Sequence, residues 1–442
     1  MRGSNERISR GFAALALRLL FAATVFAAAA FAPAAFAAKT QNVVLIVSDG
    51  LRWQEIFTGA EEDLLNDKEG GSWLSEEELR KRYWRPSASE RRAALFPFLW
   101  GTVAKRGQLL GNQTLGSVAR VTNGKAFSYP GYNEMSTGFP NDAIDSNEFG
   151  PNPTPTVFEW LNKFDEFKDR VAIYGTWKVY DDIFNKQRSG LVMQTGWTLP
   201  RKRHESPRDA LLRELYATTT RFDDEDVSNS LLQIPLLDYV RSAKPRVLFV
   251  GYGETDNWAH QGRYDLVLDS AHRFDYFVKQ LWDTMQAIPQ YRGTTTFIIT
   301  ADHGRGSGLS EWKEHGAEYK GSENIWIAVI GPDTEPLGER SHVAPVTEAQ
   351  IAATVAAFVG KDYPAAVPQA APPIAAVLQP RVQAQSRPPD HAGMAAEAIG
   401  DNAKAANYYT ALLKSTGNGS QSARREFDHV KSFVSATEVA AK

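Results

Sequence analysis

Thr296-Phe-Ile-Ile-Thr-Ala-Asp302-His303-Gly304 is the stretch that decides how this chain reads. A β-branched apolar run that stops at Asp-His-Gly predicts a buried parallel strand. Such a strand delivers two polar side chains at its carboxyl end, where open α/β sheets place their sites. Aspartate and neutral histidine together suit a divalent cation such as zinc. A strand closed by an ordinary Asp/Gly turn fits the same letters. The two readings part on whether other strand ends supply matching ligands.

Working outward, Asn42-Val-Val-Leu-Ile-Val-Ser-Asp49-Gly50 repeats the design. It is an apolar run ending in Asp-Gly, and so either a second carboxylate at a strand end or a plain turn. A third run, Pro245-Arg-Val-Leu-Phe-Val-Gly-Tyr-Gly253, is followed by Asp256 and His260. Four residues apart, these two share one face of a helical turn and can grip one ion, although surface pairs at this spacing are common. His315-Gly316 lies in a loop between the opening strand and a further strand over 325–330. A glycine there lets the backbone approach a ligand, and a solvated loop histidine is the plain alternative. Ser128, in Lys125-Ala-Phe-Ser-Tyr-Pro-Gly131, precedes a helix expected over 131–136. A serine there is ordinarily an N-cap. Aimed at a metal pair it could instead be a nucleophile, its hydroxyl acidified by coordination and the attacked anion favoured by the helix N-terminus.

The 442 residues suffice for one large domain with additions. A hydrophobic fraction of 43% and a charged fraction of 23% are ordinary for a soluble globular chain. The net charge of −3 argues against nucleic acid as a default partner, and no nucleic-acid-binding module is read. The chain has no cysteine, which excludes disulfides, thiolate metal sites, a cysteine nucleophile and a lipid anchor on cysteine. Residues 1–37 read as an export signal: Arg2, Arg7, Arg10 and Arg18 precede an apolar run over 19–31 broken only by Thr24, and Ala35-Phe36-Ala37 fits the cleavage rule. An uncleaved anchor is the alternative, for which the run is short. Cleavage removes a net +3 and leaves about −6. The expectation is a periplasmic or secreted protein with no membrane span after cleavage.

The predicted organisation is a catalytic domain over 38–379, a Pro/Ala/Gln-rich linker over 380–393 and a helical tail over 394–442. The tail, with Tyr408, Leu412 and Leu413 after Gly400-Asp401, is similar to one tetratricopeptide hairpin. A single unit cannot form a solenoid, so its apolar face is expected to pack on the main domain, on another copy or on a partner. Residues 75–82 read as a capped helix. Residues 176–225 read as an irregular polar and aromatic cap over the site, in which Arg188 could touch an anionic substrate or simply be solvated. Residues 228–242 and 264–287 read as amphipathic helices, with His272 on the second in a structural role.

Taken together, strand ends in α/β order deliver Asp49, Ser128, Asp256 with His260, Asp302 with His303, and His315. That inventory suits two divalent cations, which about 4 Å apart can clamp the attacking and leaving oxygens of an in-line displacement. On these motifs the chain, over residues 42–360, resembles the alkaline phosphatase superfamily and, within it, the nucleotide pyrophosphatase/phosphodiesterase-like branch. The resemblance implies a mostly parallel central sheet with helices on both faces, cap insertions and two zinc-type ions. Asp49, Ser128, Asp302 and His303 would hold one ion, and Asp256, His260 and His315 the other. Ser128 would be the nucleophile, passing through a covalent phosphoseryl or sulfuryl-serine intermediate that a metal-bound water hydrolyses. The family's oxyanion asparagine lies about twenty residues past the nucleophile. Asn147 is the nearest match, with Asn141 and Asn152 as rivals. Tyr129, beside the nucleophile, and Arg188 are carried as substrate contacts.

Two departures bear on the chemistry. The phosphodiesterase branch usually has threonine followed by Phe-Pro-Asn-His, whereas Ser128 is followed by Tyr129, Pro130, Gly131 and Tyr132. Ser-x-Pro-x-Tyr is also similar to the sulfatase signature, but that signature needs arginine where Tyr132 stands. The expectation is a hydrolase of small-molecule phosphate esters, with a tilt toward diesters because no arginine flanks Ser128. A sulfatase is the alternative within the family, and a phosphomutase a more distant one. From another class, a periplasmic binding or scaffold protein with a vestigial site is the competing reading.

Overall fold

The structure, a computed structural model, describes residues 39–199, 205–379 and 382. Residues 1–37, read above as an export signal, the linker expected over 380–393 apart from residue 382, and the tail expected over 394–442 lie outside the described residues.

The strands are β1 (Asn42–Ser48), β2 (Gln108–Leu110), β3 (Ala119–Arg120), β4 (Val171–Gly175), β5 (Val192–Thr195), β6 (Val247–Tyr252), β7 (Thr295–Thr300), β8 (Ile327–Ile330), β9 (Gly338–Glu339) and β10 (Val346–Thr347). Eight form one sheet in the order β5-β4-β6-β1-β7-β8-β2-β9, and β3 pairs with β10 separately. Within the large sheet β8 alone runs against the others. This is the mostly parallel α/β sheet the sequence predicts.

The apolar runs are continuous because both faces of the sheet are covered. Val44 and Ile46 of β1, Leu248 and Val250 of β6, and Phe297 and Ile299 of β7 enter one core. Val43, Leu45 and Val47, Val247 and Phe249, and Ile298 enter the other. Five helices matter for the site: α1 (Ser128–Thr137), α2 (Asn229–Ala243), α3 (Glu254–His260), α4 (Tyr264–Ala287) and α5 (Gln350–Phe358). Helices α2 and α4 cover the first face through Leu232, Leu236, Leu268 and Leu281. Helices α1 and α5 cover the second through Tyr132, Met135, Ile351 and Val355. Among the described residues no helix is long and apolar enough to cross a membrane.

The span 176–225 departs from the expected irregular cap. It contains β5, which pairs with β4 as the edge strand, and a twelve-residue helix, Pro207–Thr218. Among the described residues only one side of β5 is paired, and its first residue, Val192, is 40% exposed. The two-sided apolar signature that marks β1, β6 and β7 is therefore missing there. Residues 75–82 follow expectation: the helix runs Glu76–Tyr83, and the Ser75 hydroxyl accepts from Glu78 N. His272 is structural, its Nδ1–H donating to Leu95 O at 2.8 Å.

Candidate metal centre

Three adjacent strands, β6, β1 and β7, end side by side at the same edge of the sheet. Asp49 follows β1, Asp302 and His303 follow β7, and α3, which follows β6, presents Asp256 and His260. Gly50 closes the turn with φ +57°, a conformation glycine adopts without strain, and its N–H donates to Asp302 Oδ1 at 3.1 Å. His303 Nε2 lies 3.4 Å from Asp49 Oδ1, 3.6 Å from Asp302 Oδ2 and 3.8 Å from Asp256 Oδ1. His260 Nε2 lies 3.2 Å from Asp256 Oδ2 and 2.9 Å from His315 Nε2. His315 stacks on His303 with ring centroids 4.1 Å apart. Two ligand groups result, Asp49/Asp302/His303 and Asp256/His303/His315, with His303 shared and His260 beside the second.

Ser128 is the first residue of α1, and Phe127 occupies the cap position. The helix thus begins three residues earlier than the sequence predicts, and Ser128 Oγ does not cap it. That oxygen sits 3.4 Å from His303 Nε2 instead. Gly131 permits this approach, because a Cβ there would lie 2.3 Å from Asp302 O. All seven predicted ligands are therefore brought together.

The ring tautomers are set by backbone carbonyls. His303 Nδ1–H donates to Gly304 O at 2.8 Å, and His315 Nδ1–H donates to Ala126 O at 3.3 Å. Both Nε2 atoms are left as lone-pair donors facing the carboxylates. Burial holds the His303 imidazole down to about 4 and His315 lower still, so both are neutral near pH 7. Burial, then the neighbouring Asp256, pushes the Asp49 carboxyl up to about 8, and burial with Asp49 pushes Asp302 well up. Burial alone would raise Asp256 too, but Arg305, His260 and His315 outweigh it and hold it well below the carboxylate range.

Asp49 Oδ1 and Asp302 Oδ2 are buried with no hydrogen-bond partner among the described residues. Both belong to carboxylates packed against neutral imidazoles whose open nitrogens face them. Unpaired buried carboxylate oxygens are costly, and divalent cations with mixed oxygen and nitrogen ligands are the chemistry that satisfies them. The donor set therefore fits two such ions.

The remaining predicted residues separate. Asn147 Oδ1 accepts from Tyr129 N at 3.0 Å, and Asn147 lines an open cleft of about 460 Å³ with Lys125, Phe127 and His315. Of its rivals, Asn152 is fully buried, with its Nδ2 on Asn133 and its Oδ1 on Thr154 N, while Asn141 holds Ala143 N. Tyr129 is fully buried, its hydroxyl donating to Gly150 O at 2.6 Å, so its ring faces the core and not the cleft. Arg188 is occupied elsewhere, pairing with buried Glu159 and donating to the carbonyls of Asn152, Pro153 and Thr154. Neither side chain is presented as the sequence reading expected. Two residues that sequence reasoning missed belong to the site. Tyr132 donates its hydroxyl to Asp49 Oδ2 at 2.9 Å, and Arg305 pairs with Asp256 Oδ1. Tyr132 is signalled only by its place four residues after Ser128, one helical turn on. Arg305 carries no local signal.

No family model matches the chain, and no curated sequence matches it. It is similar in fold to solved structures at low identity. One is a variant of the alkaline phosphatase PafA, at 10% identity over 73% of this chain and 96% of that chain, TM-score 0.49. Another is the phosphonate monoester hydrolase SpPMH from Silicibacter pomeroyi, at 14% identity over 79% and 78%, TM-score 0.46. A third is a protein in the alkaline phosphatase superfamily from Vibrio parahaemolyticus, at 15% identity over 74% and 68%, TM-score 0.40.

Proposed function

We propose that the chain is a metal-dependent hydrolase of phosphate esters, diesters foremost, with Ser128 as nucleophile. The observation that carries the reading is the meeting of Ser128 Oγ, at the start of a ten-residue helix, with five buried or half-buried Asp and His side chains and the more exposed His260, from three neighbouring strand ends and one loop. Two divalent cations of the zinc type, one with Asp49, Ser128, Asp302 and His303 and the other with Asp256, His260 and His315, would supply Lewis acidity and lower the serine hydroxyl's pKa.

The chain's own groups account for the rest of the chemistry. The N-terminal turn of α1 favours negative charge on the phosphoryl group beside Ser128. Asn147, its Oδ1 held by Tyr129 N, lines the cleft and would donate its amide N–H groups to a phosphoryl oxygen there. Attack by Ser128 Oγ forms the seryl phosphoester as the leaving-group oxygen departs with a proton, and water then cleaves that ester and restores the serine. Among the described residues lining the cleft, Lys125 is the one cation, and its Nζ already donates to the carbonyls of Asp142 and Ile144 at 2.6 Å. A singly charged diester needs less compensation than a monoester dianion. A sulfatase is the second reading; against a formylglycine nucleophile stands Tyr132, which occupies the place of the sulfatase signature's arginine and holds Asp49 instead.

Purified protein assayed with nitrophenyl diester, monoester and sulfate, with and without chelator, tests this reading. Diester turnover should dominate, vanish on chelation and fall at least 10³-fold in Ser128→Ala, about the scale of losing an activated nucleophile. Turnover that survives chelation or the alanine refutes the mechanism, and dominant sulfate turnover refutes the substrate class.

A further inference from the structure

Arg305 follows Asp302-His303-Gly304 and is 1% exposed. Its guanidinium makes three contacts. Nη2 pairs with Asp256 Oδ1 and donates to Asp256 O at 3.3 Å, and Nη1 donates to Lys313 O at 2.5 Å. Asp256 and His260 sit on α3, whereas Lys313 lies two residues before His315 in a different loop. One planar group thus ties together both chain segments that carry Asp256, His260 and His315, and does so from the segment that carries Asp302 and His303. Space is reserved for it: a Cβ on Gly50 would fall 2.7 Å from Asp256 Oδ1 and 2.9 Å from Arg305 Nε.

We infer that Arg305 is a positioning residue that builds the second metal position. It fixes the Asp256 carboxylate through Oδ1, leaving Oδ2 turned to His260, and it sets the distance from α3 to the His315 loop. The geometry suits arginine in particular. Two nitrogens of a rigid fork reach acceptors on two different segments, α3 and the loop before His315, which a lysine ammonium on a flexible stem reproduces only in charge. Partners of this kind around a ligating carboxylate typically govern metal affinity by about 10- to 100-fold. The inference rests on the two-cation reading of the site above.

The test is Zn²⁺ binding to the metal-free full chain, titrated against a chromogenic chelator in the parent, Arg305→Met and Arg305→Lys. The parent should bind two equivalents. Arg305→Met should lose about 10- to 100-fold in affinity for one equivalent and hold the other at parent affinity, with Arg305→Lys recovering part of the loss. A merely structural arginine would weaken both equivalents together, and that result, or two unchanged equivalents, overturns the assignment. If Arg305→Met does not fold, Arg305→Lys decides alone: a selective loss in one equivalent supports the role, and parent-like or uniformly weakened binding ends it. A parent chain that binds no Zn²⁺ would instead overturn the proposed function itself, so the two failures are distinguishable.

Discussion

Gly131→Ala sets two effects of opposite sign against each other. Gly131 is the fourth residue of α1, and on helix propensity alone alanine should gain about 1 kcal/mol. Its Cβ, however, would lie 2.3 Å from Asp302 O and 3.1 Å from Asp302 C, whereas real Cβ atoms essentially never approach within 3.0 Å. The obstacle is backbone just past the end of β7 and cannot rotate aside, so α1 must retreat by about 0.7 Å or more. Overpacking of this kind costs roughly 1–3 kcal/mol, which cancels or modestly exceeds the propensity gain. Stability should therefore change little, within about 2 kcal/mol. Function should change much more, because Ser128 rides on the same helix and its 3.4 Å approach to His303 Nε2 lengthens with the retreat. Misplacement on the order of 1 Å costs about 10²-fold in rate. Diester turnover and thermal unfolding of the same preparation read both effects. Gly101→Ala is the control. Gly101 lies in the π-helical turn Leu99–Val103, a Cβ there meets nothing within 4 Å, and the variant should be fully active and no less stable. Parent-level turnover in Gly131→Ala would refute the claim that this contact sets the position of Ser128, the proposed nucleophile.

Three further outcomes follow from named contacts. Tyr132→Phe removes the donor to Asp49 Oδ2 and should cost about 1–3 kcal/mol in denaturant unfolding of the metal-free chain; an unchanged midpoint would show that the bond carries no stability. Asp275, which accepts from Phe98 N and Leu99 N, is pushed up by burial to about 7. The folded state therefore holds its proton more tightly than the unfolded chain, whose Asp titrates near about 3.9. Its contribution is full below that value and is lost as pH rises towards 7. Asp275→Asn should accordingly gain on the parent by up to roughly 1.4 kcal/mol per pH unit across this window, and a pH-independent difference would refute the shift. Finally, saturating Zn²⁺ should raise the unfolding free energy of the chelated chain, by about 2.7 kcal/mol per site at a hundredfold excess over Kd; no rise would mean the carboxylates hold no ion.

The sequence makes legible those parts of the molecule whose physical cause is local. Strands β1, β6 and β7 are buried on both faces, so their apolar runs are unbroken, and the Asp and His letters that end them stand out against that background. The unread parts depend on distant partners. Strand β5 borrows its order from β4 across one edge. Arg188 reads as a solvated cap arginine because Glu159, its partner, lies twenty-nine residues away. Arg305 reads as a loop arginine after a glycine, and only the fold brings Asp256 and the Lys313 carbonyl to it. Tyr129 reads as a neighbour of the nucleophile, but helical rotation turns its ring into the core beside Phe149.

The electrostatics of the site argue for cations independently of any likeness. Three carboxyl groups and two neutral imidazoles are packed into one largely buried cluster, in which, among the described residues, one guanidinium pairs with Asp256 while burial pushes the Asp49 and Asp302 carboxyls up towards the protonated form. Apolar residues in the same volume would make the fold more stable, since buried charge is rarely retained for stability alone. A site kept only as a scaffold has no reason to leave Asp49 Oδ1 and Asp302 Oδ2 without a partner, or to release Ser128 Oγ from capping its own helix. Each of these costs is recovered when positive charge enters between Asp49, Asp302 and His303. The serine nearest that position is the one whose hydroxyl such a charge would activate.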